Sequence, residues 1–280
     1  MSNYIQKNYV EGKVVLITGG SNGFGKILAQ KVAEMGGIPV IGARNEAALQ
    51  SVAAGIEAAG GKCYWRKTDV SKVEDVNALA QLAIEKCGRI DVLVNNAGTM
   101  PLAYYADHVK TLDKWVECID TNLKGTLYGI CAVYDQMIQQ GEGQVINISS
   151  IYANYPVAGS AVYQATKIGV EYLAESLRQE TQGKIKVSCV KPTGVPATGL
   201  FSCIVNMNAA AEMLGMKALD YMTMSSELPG RPDLQDRESI SYLNCDPEAL
   251  VDNIIYLINQ PMGINISDIT VRSSNERYML

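Results

Sequence analysis

Histidine is all but missing from these 280 residues: His108 is the only one. With no second imidazole and no cysteine pair beside it, a zinc site is not expected. A Ser-His-Asp triad would have to be built on that single ring. The seven cysteines are an odd number and form no Cys-x-x-Cys. Such usage fits reduced thiols in a cytoplasmic protein. No apolar run approaches the roughly 20 residues that span a bilayer. The opening segment, MSNYIQKNYVEGK, is polar and lacks the apolar stretch of a signal peptide. The formal net charge is −5 and no basic stripe is present, so neither nucleic acid nor a membrane is an expected partner. Internal repeats and low-complexity segments are also lacking.

What is there is hydrophobic content of 48% over a length that suits one α/β domain spanning 1–280. Short apolar, β-branched runs predict strands at 13–18, 38–43, 63–67, 90–94, 144–148, 185–190 and 266–271. Helical spacing predicts helices between them, at 45–59, 71–87, 112–138, 161–180 and 247–258. Asn45, Ser71 (with Glu74 completing a capping box) and Asp246 are the expected N-caps. The alternation predicts a doubly wound Rossmann fold on a mostly parallel seven-stranded sheet. Between the sixth and last strands, residues 198–246 break the rhythm and carry Met207, Met213, Met216, Met222 and Met224. A substrate lid and an oligomer or core contact are both open readings of this Met-rich segment.

Chemistry is expected at the strand ends. Gly19-Gly20-Ser21-Asn22-Gly23-Phe24-Gly25 follows the first strand and opens a helix, the context in which backbone N–H groups face a pyrophosphate. A plain tight turn would use the same glycines. Past the second strand come Ala43 and Arg44 rather than an acidic residue. Arg44 therefore favours a ribose 2′-phosphate over a 2′-hydroxyl, unless it is simply a solvated arginine capping the loop. Tyr163 and Lys167 are four apart and share a helix face, and Ser150 lies thirteen residues before the tyrosine. An ammonium group beside a phenol favours the phenolate and lowers its pKa towards working pH. The same Tyr-xxx-Lys spacing recurs at Tyr9 and Lys13, ahead of the first strand, so placement rather than spacing gives it meaning.

Together these residues resemble a known family. Thr18-Gly19-xxx-Gly23-x-Gly25, Asp69-Val70, Asn95-Asn96-Ala97-Gly98, Asn122, Ser150, Tyr163-xxx-Lys167 and Pro192 occur in the order of the short-chain dehydrogenase/reductases. The resemblance covers residues 11–195 closely. It implies that Gly19, Ser21, Asn22, Gly23, Phe24 and Gly25 shape the pyrophosphate loop, and that Asp69 and Val70 hold the adenine. It implies that Asn96, Ala97 and Gly98 line the cofactor ribose. Tyr163 would be the acid/base, Lys167 would bind the nicotinamide ribose, Ser150 would hold the substrate oxygen, and Asn122 would anchor a proton-relay water. Pro192, Thr193 and Val195 would border the nicotinamide.

The implied activity is interconversion of a ketone and a secondary alcohol, with NADP(H) favoured and NAD(H) the alternative cofactor. An apolar lining at 99–102 and 151–155 suits a bulky substrate such as a steroid or polyketide ketone. The resemblance also implies a homodimer or homotetramer built on helices 112–138 and 161–180. A regulatory protein that binds NADP with little turnover is the competing reading, against which the intact Ser150, Tyr163, Lys167 and Asn122 count. Departures from the family pattern are Thr193 in place of glycine after Pro192, Asn22 in place of a basic residue, and a last strand without Asp-Gly-Gly.

Overall fold

A computed structural model of the protein describes residues 7–195, 199–212, 232–234, 236–242 and 245–276. Its strands are β1 (Val14–Thr18), β2 (Ile38–Ala43), β3 (Tyr64–Lys67), β4 (Val92–Asn95), β5 (Gly143–Ile148), β6 (Ile185–Pro192) and β7 (Asp268–Val271). Its helices are α1 (Gly23–Glu34), α2 (Glu46–Ala58), α3 (Val73–Cys87), α4 (His108–Cys118), α5 (Gly125–Gln140), α6 (Ala161–Glu180), α7 (Met207–Glu212) and α8 (Pro247–Ile258).

The seven strands form one sheet in the order β3-β2-β1-β4-β5-β6-β7, and every pairing is parallel. The β1, β4 and β5 residues are buried throughout, as strands covered on both faces must be. Alternate β1 side chains feed two cores. Val15 and Ile17 pack with Leu28 of α1, Leu49 of α2 and Ile254 of α8. Val14 and Leu16 pack with Leu79 of α3, Val133 of α5 and Leu177 of α6. Consecutive strands run outward from β1 in one direction and from β4 in the other. The sheet therefore splits between β1 and β4, and ligands of such sheets bind in the crevice beyond the carboxyl ends at that switch point.

Asn45 caps α2, its Oδ1 accepting from the Ala48 N–H at 3.0 Å, and Asp246 caps α8 in the same way at 2.6 Å from Ala249 N. Ser71 does not cap α3. That helix starts at Val73 after Lys72, because the Ser71 hydroxyl is taken by Asp69 Oδ1 at 2.7 Å. The expected single helix over 112–138 is α4 and α5 joined by a π-helical turn at Ile119–Lys124. Of the Met-rich 198–246 segment, residues 198, 213–231, 235 and 243–244 lie outside the described residues. Its leading part is described: residues 199–212 form a strap that ends in α7. The strap is tied to the loop after β4 by the Val205 and Asn206 N–H groups on Leu102 O (3.1 and 3.0 Å) and by Asn206 Nδ2 on Asp107 Oδ2 (2.7 Å). No helix among the described residues is long and apolar enough to cross a membrane.

Candidate active site

The loop after β1 is fixed by glycine geometry. Gly19 has φ +71°, and a Cβ on Gly25 would sit 2.4 Å from Gly19 O. Only residues without side chains let the α1 N-terminus close on the strand end in this way. The β4 loop latches onto the same place. Thr18 Oγ1 accepts from the N–H groups of Asn96 (3.0 Å) and Ala97 (3.1 Å), while Asn96 Nδ2 donates to Thr18 O at 2.9 Å and to Gly19 O at 3.2 Å. The two strands at the switch point thus hold each other's loops open as one rim.

A groove of about 350 Å³ runs along this rim. Gly19, Ser21, Asn22, Gly23, Phe24, Arg44, Asp69, Val70, Asn96, Ala97 and Gly98 all line it. Gly25 does not; it packs beneath the loop. The groove also takes in Asn45, Thr68, Thr99 and Thr121, and from the strap Gly199, Leu200, Ser202 and Cys203. Thr99 and the strap were expected beside the substrate rather than in this groove, and Asn45, Thr68 and Thr121 carry no site motif. Asp69 has its carboxyl held low: burial pushes it up, but two hydrogen bonds from Ser71 and the charges of Arg44 and Lys72 outweigh that.

A second, apolar cavity of about 60 Å³ adjoins the groove, and Phe24 and Leu200 line both. Its walls are Met100, Leu102, Ile151 and Tyr152, with Pro192, Thr193 and Val195 from the end of β6 and Phe201, Ile204 and Ala210 from the strap. Ser150 and Tyr163 line it together, with Ser150 near enough to oppose the burial that raises the Tyr163 phenol. Of the phenols nearby, Tyr152 is buried and stands edge-on to Tyr163, with ring centroids 5.5 Å apart. Tyr155 points out, 58% exposed. The neighbouring serine is no rival: Ser149 Oγ donates to Glu171 Oε1 at 2.7 Å and does not line the cavity.

Lys167 is buried behind this wall, its Nζ donating to Ile148 O at 2.7 Å and lying 5.8 Å from the Tyr163 ring centre. Burial pulls its pKa down to about 8. Burial also pushes the Tyr163 phenol up, with Ser150 opposing it only in part. This reverses the expected direction. Desolvation of the phenolate in a fully buried site exceeds the pull of an ammonium held off to one side.

Asn122 sits in the π-helical turn, a local widening that is common at functional positions. Its Oδ1 accepts from Thr99 N and its Nδ2 donates to Thr99 O, both at 2.9 Å, and Nδ2 also reaches Thr166 Oγ1 at 3.1 Å. The asparagine thus clamps the β4 loop to α6 one residue before Lys167. Between the two lies Gly98, where a Cβ would stand 3.3 Å from Asn122 Oδ1 and 3.8 Å from Lys167 Nζ. Gly98 lines the groove and leaves its backbone bare beside Lys167. Tyr9, the other Tyr-xxx-Lys tyrosine, is remote from all this, its N–H bound to Asn259 Oδ1 at 2.6 Å. His108 starts α4 at the surface with Nδ1 3.1 Å from Tyr105 O.

Comparison with known proteins agrees with this geometry. The family model described as short chain dehydrogenase matches residues 13–208. An uncharacterised oxidoreductase of Staphylococcus saprophyticus is 33% identical over 269 residues, 96% of this chain and 99% of its own. A metagenomic short-chain oxidoreductase solved in complex with NADP is 28% identical, with a TM-score of 0.71 over 94% of this chain and 98% of that one. A variant actinorhodin polyketide ketoreductase solved with NADPH is 25% identical, with a TM-score of 0.78 over 94% of this chain and 97% of that one.

Proposed function

The chain belongs to the short-chain dehydrogenase family of oxidoreductases, and we propose that it interconverts an apolar ketone and its secondary alcohol using NADP(H). The observation that carries this reading is that Ser150 and Tyr163 together line the wall of an apolar cavity that shares Phe24 and Leu200 with the groove. The NADP-bound oxidoreductase and the NADPH-bound ketoreductase among its structural neighbours support the cofactor. So does Arg44 at the end of β2, where a 2′-phosphate is read.

When bound, the nicotinamide supplies or accepts the hydride. The chain's own residues do the rest. Tyr163 is kept protonated by its burial, and so presents an O–H to a carbonyl oxygen at the cavity wall. Ser150 offers a second hydrogen bond to the same oxygen and stabilises charge as it builds there. Lys167 holds positive charge behind the tyrosine and faces the bare backbone at Gly98. Asn122 fixes the β4 loop and α6 against each other, so that Gly98, Tyr163 and Lys167 keep one geometry. The lining carries no charged group to receive an ionic substrate. At about 60 Å³ the cavity holds a water or two. A bulky ketone of the kind expected enters only if the strap wall of Leu200, Phe201 and Ile204 moves outwards.

The protein also pairs with copies of itself. Val109, Leu112, Val116 and Ile119 recur at helical spacing along α4 into the π turn, and all are exposed, as are Ile168 and Tyr172 of α6. An apolar face of this kind is covered in most soluble proteins.

The test is absorbance loss of NADPH or NADH against a panel of apolar ketones. Wild type turns over at least one of them, and Tyr163→Phe lowers kcat by a factor of about 100 or more. Absence of turnover across the panel, or a Phe variant as fast as wild type, would overturn the reading. NADPH binding without turnover would instead favour a dinucleotide-binding regulator.

A further inference from the structure

Arg44 is the one cation among the described residues that line the groove, and it is not free. Its Nη1 donates to Glu117 Oε1 at 2.8 Å, with the two side chains 70% and 48% exposed. The partners are 73 positions apart in sequence. One lies just past β2 and the other in the last turn of α4, so the pair bridges the two halves of the fold across the crevice between β1 and β4. Glu117 does not line the groove; it stands on the rim and reaches in only through Arg44. Asp69 supplies a second carboxylate at this end, close enough for Arg44 to help lower its pKa.

We propose that Glu117 is a cofactor-specificity residue: it holds the Arg44 guanidinium in an ion pair that a ribose 2′-phosphate has to break. The proposal rests on the NADP(H) reading above and adds the element that sets its strength. A 2′-phosphate brings close to two negative charges at neutral pH. It competes with Glu117 for the guanidinium and leaves the displaced carboxylate nearby. A 2′-hydroxyl makes no such demand, so NAD(H) binds with the Arg44–Glu117 bridge in place. The arginine that favours NADP(H) is thereby muted by its own partner, and the protein uses both dinucleotides with a modest preference. An exposed ion pair is a weak competitor, so the muting is a matter of a few-fold and not of orders of magnitude.

The experiment is a fluorescence titration of NADPH and NADH against wild type, Glu117→Gln, Arg44→Ala and the double variant. Glu117→Ala serves as a second probe, with thermal melts showing that each variant is folded. Glu117→Gln is expected to lower Kd for NADPH about two- to fivefold and to leave NADH unchanged. In the Arg44→Ala background the same change is expected to do nothing, because the competition runs through the guanidinium. The NADPH gain shrinks as salt is raised. An unchanged NADPH Kd in Glu117→Gln overturns the inference and leaves the NADP(H) reading standing, as does an equal gain with Arg44 absent. Failure of wild type to bind either dinucleotide overturns both.

Discussion

A methyl group on residue 25 would lie 2.4 Å from Gly19 O and 2.7 Å from Asn96 Nδ2. Neither neighbour can step aside. The first is backbone in a turn with φ +71°, and the second is pinned by its bonds to Thr18 O and Gly19 O. Gly25→Ala therefore forces the α1 N-terminus away from the β1 end. The expected cost is about 1–3 kcal/mol of stability and a tenfold or greater rise in NADPH Kd, read by thermal melts and titration. A variant that melts lower yet binds NADPH normally would show that the loop is only a turn. At this scale much was legible beforehand. Ser150, Tyr163, Lys167 and the glycines carry their spacing in the sequence. Their environment does not appear there: the sequence places a cation four residues from a phenol, and only packing decides that both are dehydrated. Thr18 and Thr99 were named by place, in the glycine motif and the 99–102 lining, but their bonds were illegible for the same reason, and Thr166 was not visible at all. Each acts by a hydrogen bond to a distant segment, and a threonine has no local pattern that announces one.

Elements were legible where the hydrophobic period settles them, and missed where tertiary hydrogen bonds override it. Five of the seven strands are short buried runs, β3 and β7 at the sheet edges being largely open, and the alternation with helices follows from their spacing. The π turn at Ile119–Lys124 does not, since no Pro or Gly interrupts residues 112–124. It arises because Asn122 is drawn onto both backbone groups of Thr99 and the Asn122 carbonyl takes the Thr126 hydroxyl at 2.7 Å. The strap, 199–212, was readable only as irregular. In the structure it forms one wall of the cavity, and Asn206 ties its side chain to the body at Asp107. Asn206→Ala removes that tether and leaves the two backbone bonds to Leu102 O. The expected outcome is a KM for ketone raised about three- to tenfold with kcat within twofold, because Ser150 and Tyr163 are untouched; steady-state kinetics read the split. An equal fall in kcat with KM constant would mean that the strap shapes the reacting geometry rather than the entrance.

Across the whole molecule the ionisable groups buried in the two cores set how stability follows pH. The cysteine count foretold thiols without bridges, and all seven are free. It could not foretell that the fold would bury four of them so deeply. Burial lifts Cys63 and Cys189 to about 12, and Cys118 and Cys245 to about 11, from an ordinary value of 9.0. Burial pulls Lys167 and Lys186 the other way, from 10.5 to about 8. For the lysines the unfolded chain binds more protons than the folded one between pH 8 and 10.5, so stability rises with pH there. For the thiols the folded chain keeps protons that the unfolded chain has lost above pH 9, so their contribution is present below that and lost as pH rises towards 11 or 12. The lysines act alone between pH 8 and 9. Between pH 9 and 10 these four thiols oppose two lysines, a net of two protons worth about 2.7 kcal/mol per pH unit, and above 10 the Tyr163 and Tyr242 phenols, also raised by burial, steepen the fall. The melting temperature of the reduced protein is therefore expected to climb from pH 8, turn over close to pH 9, and fall beyond it. Cys189→Ala should flatten the limb between pH 9 and 10 by about half, since it leaves a net of one proton, once its lower starting stability is subtracted. A melting temperature flat across pH 8–11, or an alkaline limb indifferent to Cys189, would mean that these groups meet water in the folded protein.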